Sequence, residues 1–156
     1  MRFSVKAPAS SANLGPGFDA LGLALDLWNT VEIDLAEETE VQLAGSGAEL
    51  LSGRENLTLT AMELLAKEHG KHLPPLTMTL QADVPVARGL GSSAAAIVSG
   101  LVAANYLLEL DLTTADLFAV AARMEGHGDN VGAALYGGAI LSVPGLRDAI
   151  RLTDGP

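Results

Sequence analysis

The chain lacks cysteine and has few basic or aromatic residues. Without cysteine it can form neither a disulfide nor a thiolate metal site. Nine Lys and Arg residues face 19 Asp and Glu residues, so the net charge of −10 argues against binding to a nucleic acid backbone. The longest apolar run, 94–108, is too short to span a bilayer, and residues 1–6 do not resemble a signal peptide. The sequence therefore predicts a cytoplasmic protein with neither nucleic acid nor membrane partners.

The remaining composition is that of one compact domain. Hydrophobic residues make up 49% of the 156 residues and aromatic residues only 4%, so the core must consist mainly of Ala, Leu and Val. Hydrophobic periodicity predicts strands at 3–7, 21–35, 41–44, 76–80 and 139–143, and helices at 57–69, 93–110, 113–124 and up to 136. Residues 10–19, with Gly15, Pro16 and Gly17, are predicted to form a loop. Strands that mostly precede helices indicate the α+β class.

Residues 85–96 combine a glycine-rich turn with the start of an apolar helix. Unpaired amides and the positive dipole end of a helix N-terminus attract phosphate, and Gly89 and Gly91 let the backbone approach an anion. Ser92 and Ser93 add hydroxyl groups. A Walker A loop would need Lys after Gly91, and a dinucleotide-binding unit would need a strand after the helix, so neither pattern is met. A phosphate site is predicted, with a plain strand-to-helix turn as the alternative.

Two other segments carry polar side chains. Asn13 and Asp19 can bind an ammonium or hydroxyl group, or can bond their own backbone as turn residues. Glu125, His127 and Asp129 lie close together in the chain, which fits either a metal site or a solvated loop. His127 and Asp129 lack the i, i+4 spacing of helical ligands, so no transition-metal site is predicted.

Three segments resemble the GHMP kinases, and the homoserine kinases among them. Residues 89–95 read Gly-Leu-Gly-Ser-Ser-Ala-Ala, as in the signature loop of that superfamily. Residues 11–19 read Ser-Ala-Asn-Leu-Gly-Pro-Gly-Phe-Asp, which is similar to the N-terminal signature of homoserine kinases. Residues 125–131 resemble their Glu-Gly-His-Pro-Asp-Asn-Val segment, except that Gly128 replaces Pro and Gly132-Ala133 replaces Ala-Pro, which predicts a looser loop.

The resemblance implies a fold, a domain organisation, a reaction and a set of nucleotide-binding residues. The expected fold is that of ribosomal protein S5 domain 2, a mostly antiparallel sheet backed by helices, with residues 1–156 as the N-terminal ATP- and substrate-binding domain and the C-terminal domain outside this chain. The implied reaction is ATP-dependent phosphorylation of the L-homoserine hydroxyl, in threonine biosynthesis, with Mg²⁺. The nucleotide would be bound by the residues of the signature loop, namely Pro85, Arg88, Gly89, Leu90, Gly91, Ser92, Ser93, Ala94 and Ala95.

By the same resemblance, Asn13 and Asp19 would hold the amino and hydroxyl end of the substrate, and His127 and Asn130 would line its pocket. Ser93 (or Ser92) and Glu125 would hold Mg²⁺, and Asn130 and Glu125 would take part in catalysis. Some GHMP kinases carry Asp where this chain has Asn130, and an amide cannot accept a proton at neutral pH. The hypothesis is therefore that no side-chain base operates.

Other interpretations stay open. No Arg in the matched segments can bind a substrate carboxylate, so the chain is expected to be a fragment, to be completed by a partner or to be an inactive remnant. A fragment is favoured, because residues 152–156 resemble a segment cut in the middle of a connection. The chain could instead belong to another GHMP kinase that phosphorylates a small alcohol, or could be a non-catalytic ATP-binding module. A homodimer is not excluded.

Overall fold

The computed structural model describes residues 1–53 and 55–153. They form an α+β domain with one sheet of six strands and five helices. The strands are β1 (Arg2–Leu14), β2 (Gly17–Leu35), β3 (Glu40–Ala44), β4 (Leu76–Gln81), β5 (Ala139–Leu141) and β6 (Ile150–Arg151). The helices are α1 (Ala48–Leu51), α2 (Leu57–Glu68), α3 (Ser92–Leu107), α4 (Thr114–Glu125) and α5 (Asp129–Tyr136).

The long strand β2 organises the sheet. Strand β1 pairs antiparallel with it over nearly its whole length, which leaves the other edge of β2 for β4 and β5. Strand β4 pairs with residues 30–35 and β5 with residues 21–23. Strand β3 lies outside β4 in the one parallel pair among the described residues, and β6 lies outside β5. The expected α+β class with a mostly antiparallel sheet is confirmed.

The prediction of a loop at 10–19 is wrong, because β1 and β2 form a hairpin whose turn is confined to Gly15 and Pro16. The register shifts between Pro8 and Ala9 and again between Ala12 and Leu14. These bulges interrupt the two-residue alternation that marks a strand in a sequence, and the residues between them are small. The alternation was therefore hidden, and the turn residues suggested a longer loop.

Helix α3 is the centre of the helical layer. It contacts β1 and is flanked by α2, α4 and α5. Nine of its residues between Ala94 and Ala104 are buried, which explains why its sequence is apolar on all sides. Gly100 allows α2 to approach closely, since a Cβ there would lie 2.2 Å from the carbonyl oxygen of Thr58. Within the described ranges, no helix is both long and apolar enough to cross a membrane.

Candidate active site

The turn before α3 has the backbone of an anion-binding loop. Gly91 is the N-cap of α3 and, like Gly89, it has a left-handed backbone, with φ of 65° and 70° respectively. Because glycine has no side chain, nothing from the N-cap itself occupies the amides of the first turn. The Ser10 amide donates to the carbonyl of Leu90 at 3.0 Å, which fixes the turn against β1. The predicted glycine turn before α3 is therefore present, with the left-handed backbone at Gly89 and Gly91 that leaves the amides of the first turn uncapped by a side chain.

A cavity of about 890 Å³ opens at this turn. Its wall brings together residues from all three segments that the sequence singled out. They are Asn13, Gly89, Leu90, Gly91, Ser92, Ser93, Glu125, His127 and Asn130. Three distant parts of the chain thus meet at one cavity.

The other predicted site residues lie elsewhere. The side chains of Ala94 and Ala95 are buried in the core, so these two residues of α3 can contribute only backbone atoms to a site at the start of the helix. The side chains of Pro85, Arg88 and Asp19 do not contribute to the described cavity wall. The amide of Asp19 donates to Oδ1 of Asn13 at 2.8 Å, so the turn chemistry considered for these two residues is present. Asn13 nevertheless lines the cavity.

Ser93 and Glu125 form a direct pair. The Oγ of Ser93, in the first turn of α3, donates to Oε1 of Glu125, the last residue of α4, at 2.6 Å. Hydroxyl and carboxylate oxygens are hard ligands that suit Mg²⁺. Among the described residues no three His, Cys, Asp or Glu side chains cluster in a way that could hold a metal. A divalent cation at Ser93 and Glu125 would therefore need most of its ligands from phosphate oxygens and water.

Asn130 is oriented by a buried serine. The Oγ of Ser10, which is fully buried in β1, donates to Oδ1 of Asn130 at 2.9 Å. The amide NH₂ of Asn130 is then available as a donor on the cavity side. Gly91 packs directly on this pair, since a Cβ there would lie 2.0 Å from Ser10 Oγ and 3.1 Å from Asn130 Oδ1.

His127 is paired with a buried carboxylate. Its Nδ1 lies 2.7 Å from Oδ1 of Asp129, which also accepts the amide hydrogen of Asn130 at 2.7 Å. The side chain of Asp129 is 1% exposed, whereas that of His127 is 40% exposed at the cavity. Gly128 is not a loose link: it is buried, and a Cβ there would lie 2.1 Å from Ser142 Oγ. The expected loosening of this segment is thus offset by packing.

Sequence reasoning missed the positioning roles of three residues at the site. Ser10 and Asp129 position Asn130 and His127, and the buried Asn29 accepts the amides of Asp83 and Val84 at 2.9 and 2.8 Å. Asn29 therefore fixes the segment that leads from β4 to the predicted phosphate loop. Ser10 and Asn29 act through contacts with residues far away in the chain, and the only local signal is a polar residue at a strand position that faces inward.

A second part of the cavity wall, which we call the apolar end, carries six apolar side chains beside the polar Ser52, Glu55, Asn56 and Thr58. The six apolar side chains belong to β3, β4, α1, the start of α2 and the segment after β4, namely Val41, Leu43, Leu51, Leu57, Leu80 and Val86. No Lys or Arg is found among the described lining residues, and Glu55 and Glu125 are the carboxylates there. Within the described wall, the groups that could neutralise an anion are therefore backbone amides and a bound cation.

Similarity to known proteins shows the family of this chain. Residues 56–138, just over half of the chain, match the N-terminal domain of the GHMP kinases, and the chain belongs to this family. It is similar to curated homoserine kinases. The protein of Deinococcus radiodurans is 48% identical over 141 residues, which cover 90% of this chain and 46% of the relative. That of Carboxydothermus hydrogenoformans is 49% identical over 140 residues, with 88% and 46% covered.

Solved structures give the same result. A homoserine kinase from Cytophaga hutchinsonii superposes with a TM-score of 0.76 at 32% identity, covering 97% of this chain and 51% of that one. The mevalonate kinase of Methanococcus jannaschii, at 16% identity and a TM-score of 0.68, shares the fold; the match covers 99% of this chain and 56% of that one. The expected resemblance is confirmed. The chain spans about half the length of the curated relatives it matches.

Proposed function

We propose that this chain is the nucleotide- and substrate-binding domain of a homoserine kinase, which transfers the γ-phosphoryl group of ATP to the hydroxyl of L-homoserine. The observation that carries the proposal is the common cavity. It places the phosphate-loop backbone, the Ser93–Glu125 pair and the side chains of His127 and Asn130 on one continuous wall. The similarity to named homoserine kinases supports this substrate over other alcohols.

The nucleotide would lie along the length of the cavity. Its phosphates are expected at the amides of residues 89–93, where the α3 dipole and the glycine backbone favour an anion. The apolar end is suited to a planar base, because apolar side chains from β3, β4 and α2 enclose it. This arrangement directs the terminal phosphate towards the end of the cavity where Glu125 and Asn130 lie.

Ser93 and Glu125 are the residues that would hold Mg²⁺. When bound, the ion neutralises the phosphate charge that no Lys or Arg in the described wall can neutralise. The carboxylate of Glu125 is positioned for this by the hydroxyl of Ser93, and the two residues come from the facing ends of α3 and α4.

The amino acid would bind between the hairpin and the start of α5. Asn13 on the hairpin and His127 and Asn130 near α5 supply polar groups, and the NH₂ of Asn130 is directed by Ser10. Phosphoryl transfer passes through a loose transition state, so holding the hydroxyl in line with the γ-phosphate supplies most of the acceleration. In this proposal Asn130 donates to the reacting oxygens and does not act as a base, because an amide does not accept a proton at neutral pH. No side-chain base is required, since the transition state is loose.

The remaining features of the proposal concern the rest of the protein. A C-terminal half, such as the relatives possess beyond the matched region, would supply cationic groups for the substrate carboxylate and close the cavity. The protein would act in the cytoplasm in threonine biosynthesis.

The test is ADP release with ATP, Mg²⁺ and L-homoserine, for this chain alone and for its fusion to the C-terminal half of the Deinococcus radiodurans enzyme. We expect nucleotide binding by both and turnover by the fusion. In the fusion, Glu125→Gln should lower kcat roughly a hundredfold, as expected when one charged contact to the transition state is lost.

Glu55→Gln is the matched control, since Glu55 lines the same cavity but its carboxylate accepts the hydroxyl of Thr60. It should leave kcat within about twofold, because no hydrogen bond or ion pair among the described residues joins Glu55 to residues 89–93. Other small alcohols serve as alternative acceptors, and a preference for one of them would indicate a different GHMP kinase. Nucleotide binding without turnover on any acceptor would contradict the kinase and indicate a binding module.

A further inference from the structure

Asp129 is a buried carboxylate that the proposed reaction does not use. Its side chain is 1% exposed, and its Oδ1 accepts from both His127 Nδ1 and the Asn130 amide at 2.7 Å each. Its Oδ2 has no hydrogen-bond partner among the described residues. A buried polar atom without a hydrogen-bond partner destabilises the folded state. Its presence here therefore indicates that the Asp129 carboxylate has a role.

The two contacts fix the position of a proton. An ionised carboxylate has no hydrogen to donate, so as a carboxylate oxygen Oδ1 accepts both from the Asn130 amide and from His127. The imidazole Nδ1 must therefore carry the hydrogen in this pair. In a neutral ring the other nitrogen, Nε2, is then an acceptor. Nε2 has no protein partner in the described part of the chain, and His127 lines the cavity.

We propose that Asp129 is a positioning residue that locks His127 in the Nδ1–H tautomer, so that Nε2 presents a hydrogen-bond acceptor to the ligand. The bound group must then be an N–H or O–H donor, and the site would not bind a carboxylate or phosphate oxygen through neutral His127. If the proposed function holds, on which this part rests, the donor is the ammonium or the hydroxyl of the amino acid.

Close packing on both sides prevents Asp129 from moving away from His127. Its backbone carbonyl lies on Gly22 of β2, where a Cβ would be only 2.1 Å from that oxygen. The preceding Gly128 is enclosed by Ser142 and Phe118, because a Cβ on this glycine would lie 2.1 and 2.9 Å from their nearest atoms. Since both sides of the segment are packed, the carboxylate has a fixed direction, and its orienting effect on the imidazole is built into the fold.

The test is ¹⁵N NMR of the histidine rings in this chain alone, recorded at alkaline pH, where the ¹⁵N shifts distinguish the two neutral tautomers. We expect His127 to show a protonated Nδ1 and an unprotonated Nε2. In Asp129→Asn the ratio of the Nδ1–H to the Nε2–H tautomer should fall by about fivefold to tenfold, because a neutral acceptor holds the hydrogen less strongly. A wild-type His127 in the Nε2–H form overturns the proposal, even if the variant fails to fold.

His69 is an internal control, since its Nδ1 lies 3.0 Å from the carbonyl of Leu65 and has no contact with Asp129. Its spectrum should be the same in both proteins. A variant whose His127 tautomer does not change, while the remaining resonances show a folded chain, would also overturn the role of Asp129.

The identity of the donor is decided in the fusion protein. Binding of L-homoserine should shift the Nε2 resonance of His127, and loss of this shift with 4-hydroxybutyrate or with 2-aminobutyrate assigns the ammonium or the hydroxyl, respectively. An unshifted Nε2 in a fusion that binds homoserine overturns the donor contact. A fusion that binds no homoserine contradicts the proposed function instead, and the tautomer is then judged from the chain alone.

Discussion

The two helix starts at the cavity are built in different ways. Helix α3 begins at Ser92 after the N-cap Gly91, and its proposed anion site consists of backbone in a left-handed conformation with small side chains around it. Helix α5 begins at Asp129, and there the groups facing the cavity are side chains held by buried partners. A site made of backbone atoms is determined by the local sequence, whereas a site made of oriented side chains depends on residues far away in the chain.

The largest loss of stability and of nucleotide affinity is expected at Gly91, where the start of α3 contacts the start of α5. Gly91→Ala must place a Cβ about 2.0 Å from Ser10 Oγ and adopt φ near 65°. The left-handed strain and the displaced Ser10–Asn130 bond together should lower the free energy of unfolding by about 3 kcal/mol. Nucleotide affinity should fall more than tenfold. Urea unfolding and a fluorescent ATP analogue would measure the two changes.

Gly89→Ala is the matched control for this substitution. Gly89 has nearly the same φ, 70°, but a Cβ there meets nothing within 4 Å. Gly89→Ala should lower the free energy of unfolding by the backbone strain alone, about 1 kcal/mol. Equal costs at the two positions would contradict the contact between the helix starts as the cause.

A smaller effect is expected at the second start. Gly128 has an ordinary φ of −102°, so Gly128→Ala introduces no backbone strain, but its Cβ would lie 2.1 Å from Ser142 Oγ. Overpacking of this kind should lower the free energy of unfolding by about 2 kcal/mol. Ser142→Gly should recover part of that loss in the double variant, with Phe118 limiting the recovery. A double-mutant cycle by thermal unfolding checks this, and strict additivity would show that the two positions are not in contact.

The same difference explains what the sequence could predict. The glycine turn at Gly89 and Gly91 and the buried helix after it were predictable, because each depends on neighbouring residues in the chain. The strand at residues 8–14 was missed because two bulges break its alternation. The roles of Ser10 and Asp129 were missed because each depends on tertiary contacts: Ser10 bonds a residue 120 positions away, and Asp129 acquires its role from burial between β2 and the segment near β5.

A third helix start, that of α4, lies away from the cavity and tests whether capping alone influences the site. Thr113 and Asp116 form a capping box, as their spacing predicts. Thr113→Ala should lower the free energy of unfolding by about 1 kcal/mol, detected as a Tm lower by about 3 °C. Nucleotide affinity should not change, because Glu125 lies at the opposite end of this helix. A weakened affinity would show that the helix transmits changes at its start to the Ser93–Glu125 pair.

The pH dependence of that variant gives the finest test. Hydrogen bonds from the side chain and the backbone of Thr113 hold the pKa of Asp116 below its ordinary value. A carboxylate with a lowered pKa in the folded state stabilises the fold above the unfolded-state pKa, and this contribution is lost as the pH falls through the folded-state value. The stability difference between wild type and Thr113→Ala should therefore be largest near neutral pH and should narrow in acid. A difference that stays constant down to strongly acidic pH would mean that the cap acts through the Thr113 hydroxyl and the Asp116 amide alone. In that case the start of α4, like that of α3, would be stabilised through its backbone amides, and charged side-chain contacts would matter only at α5.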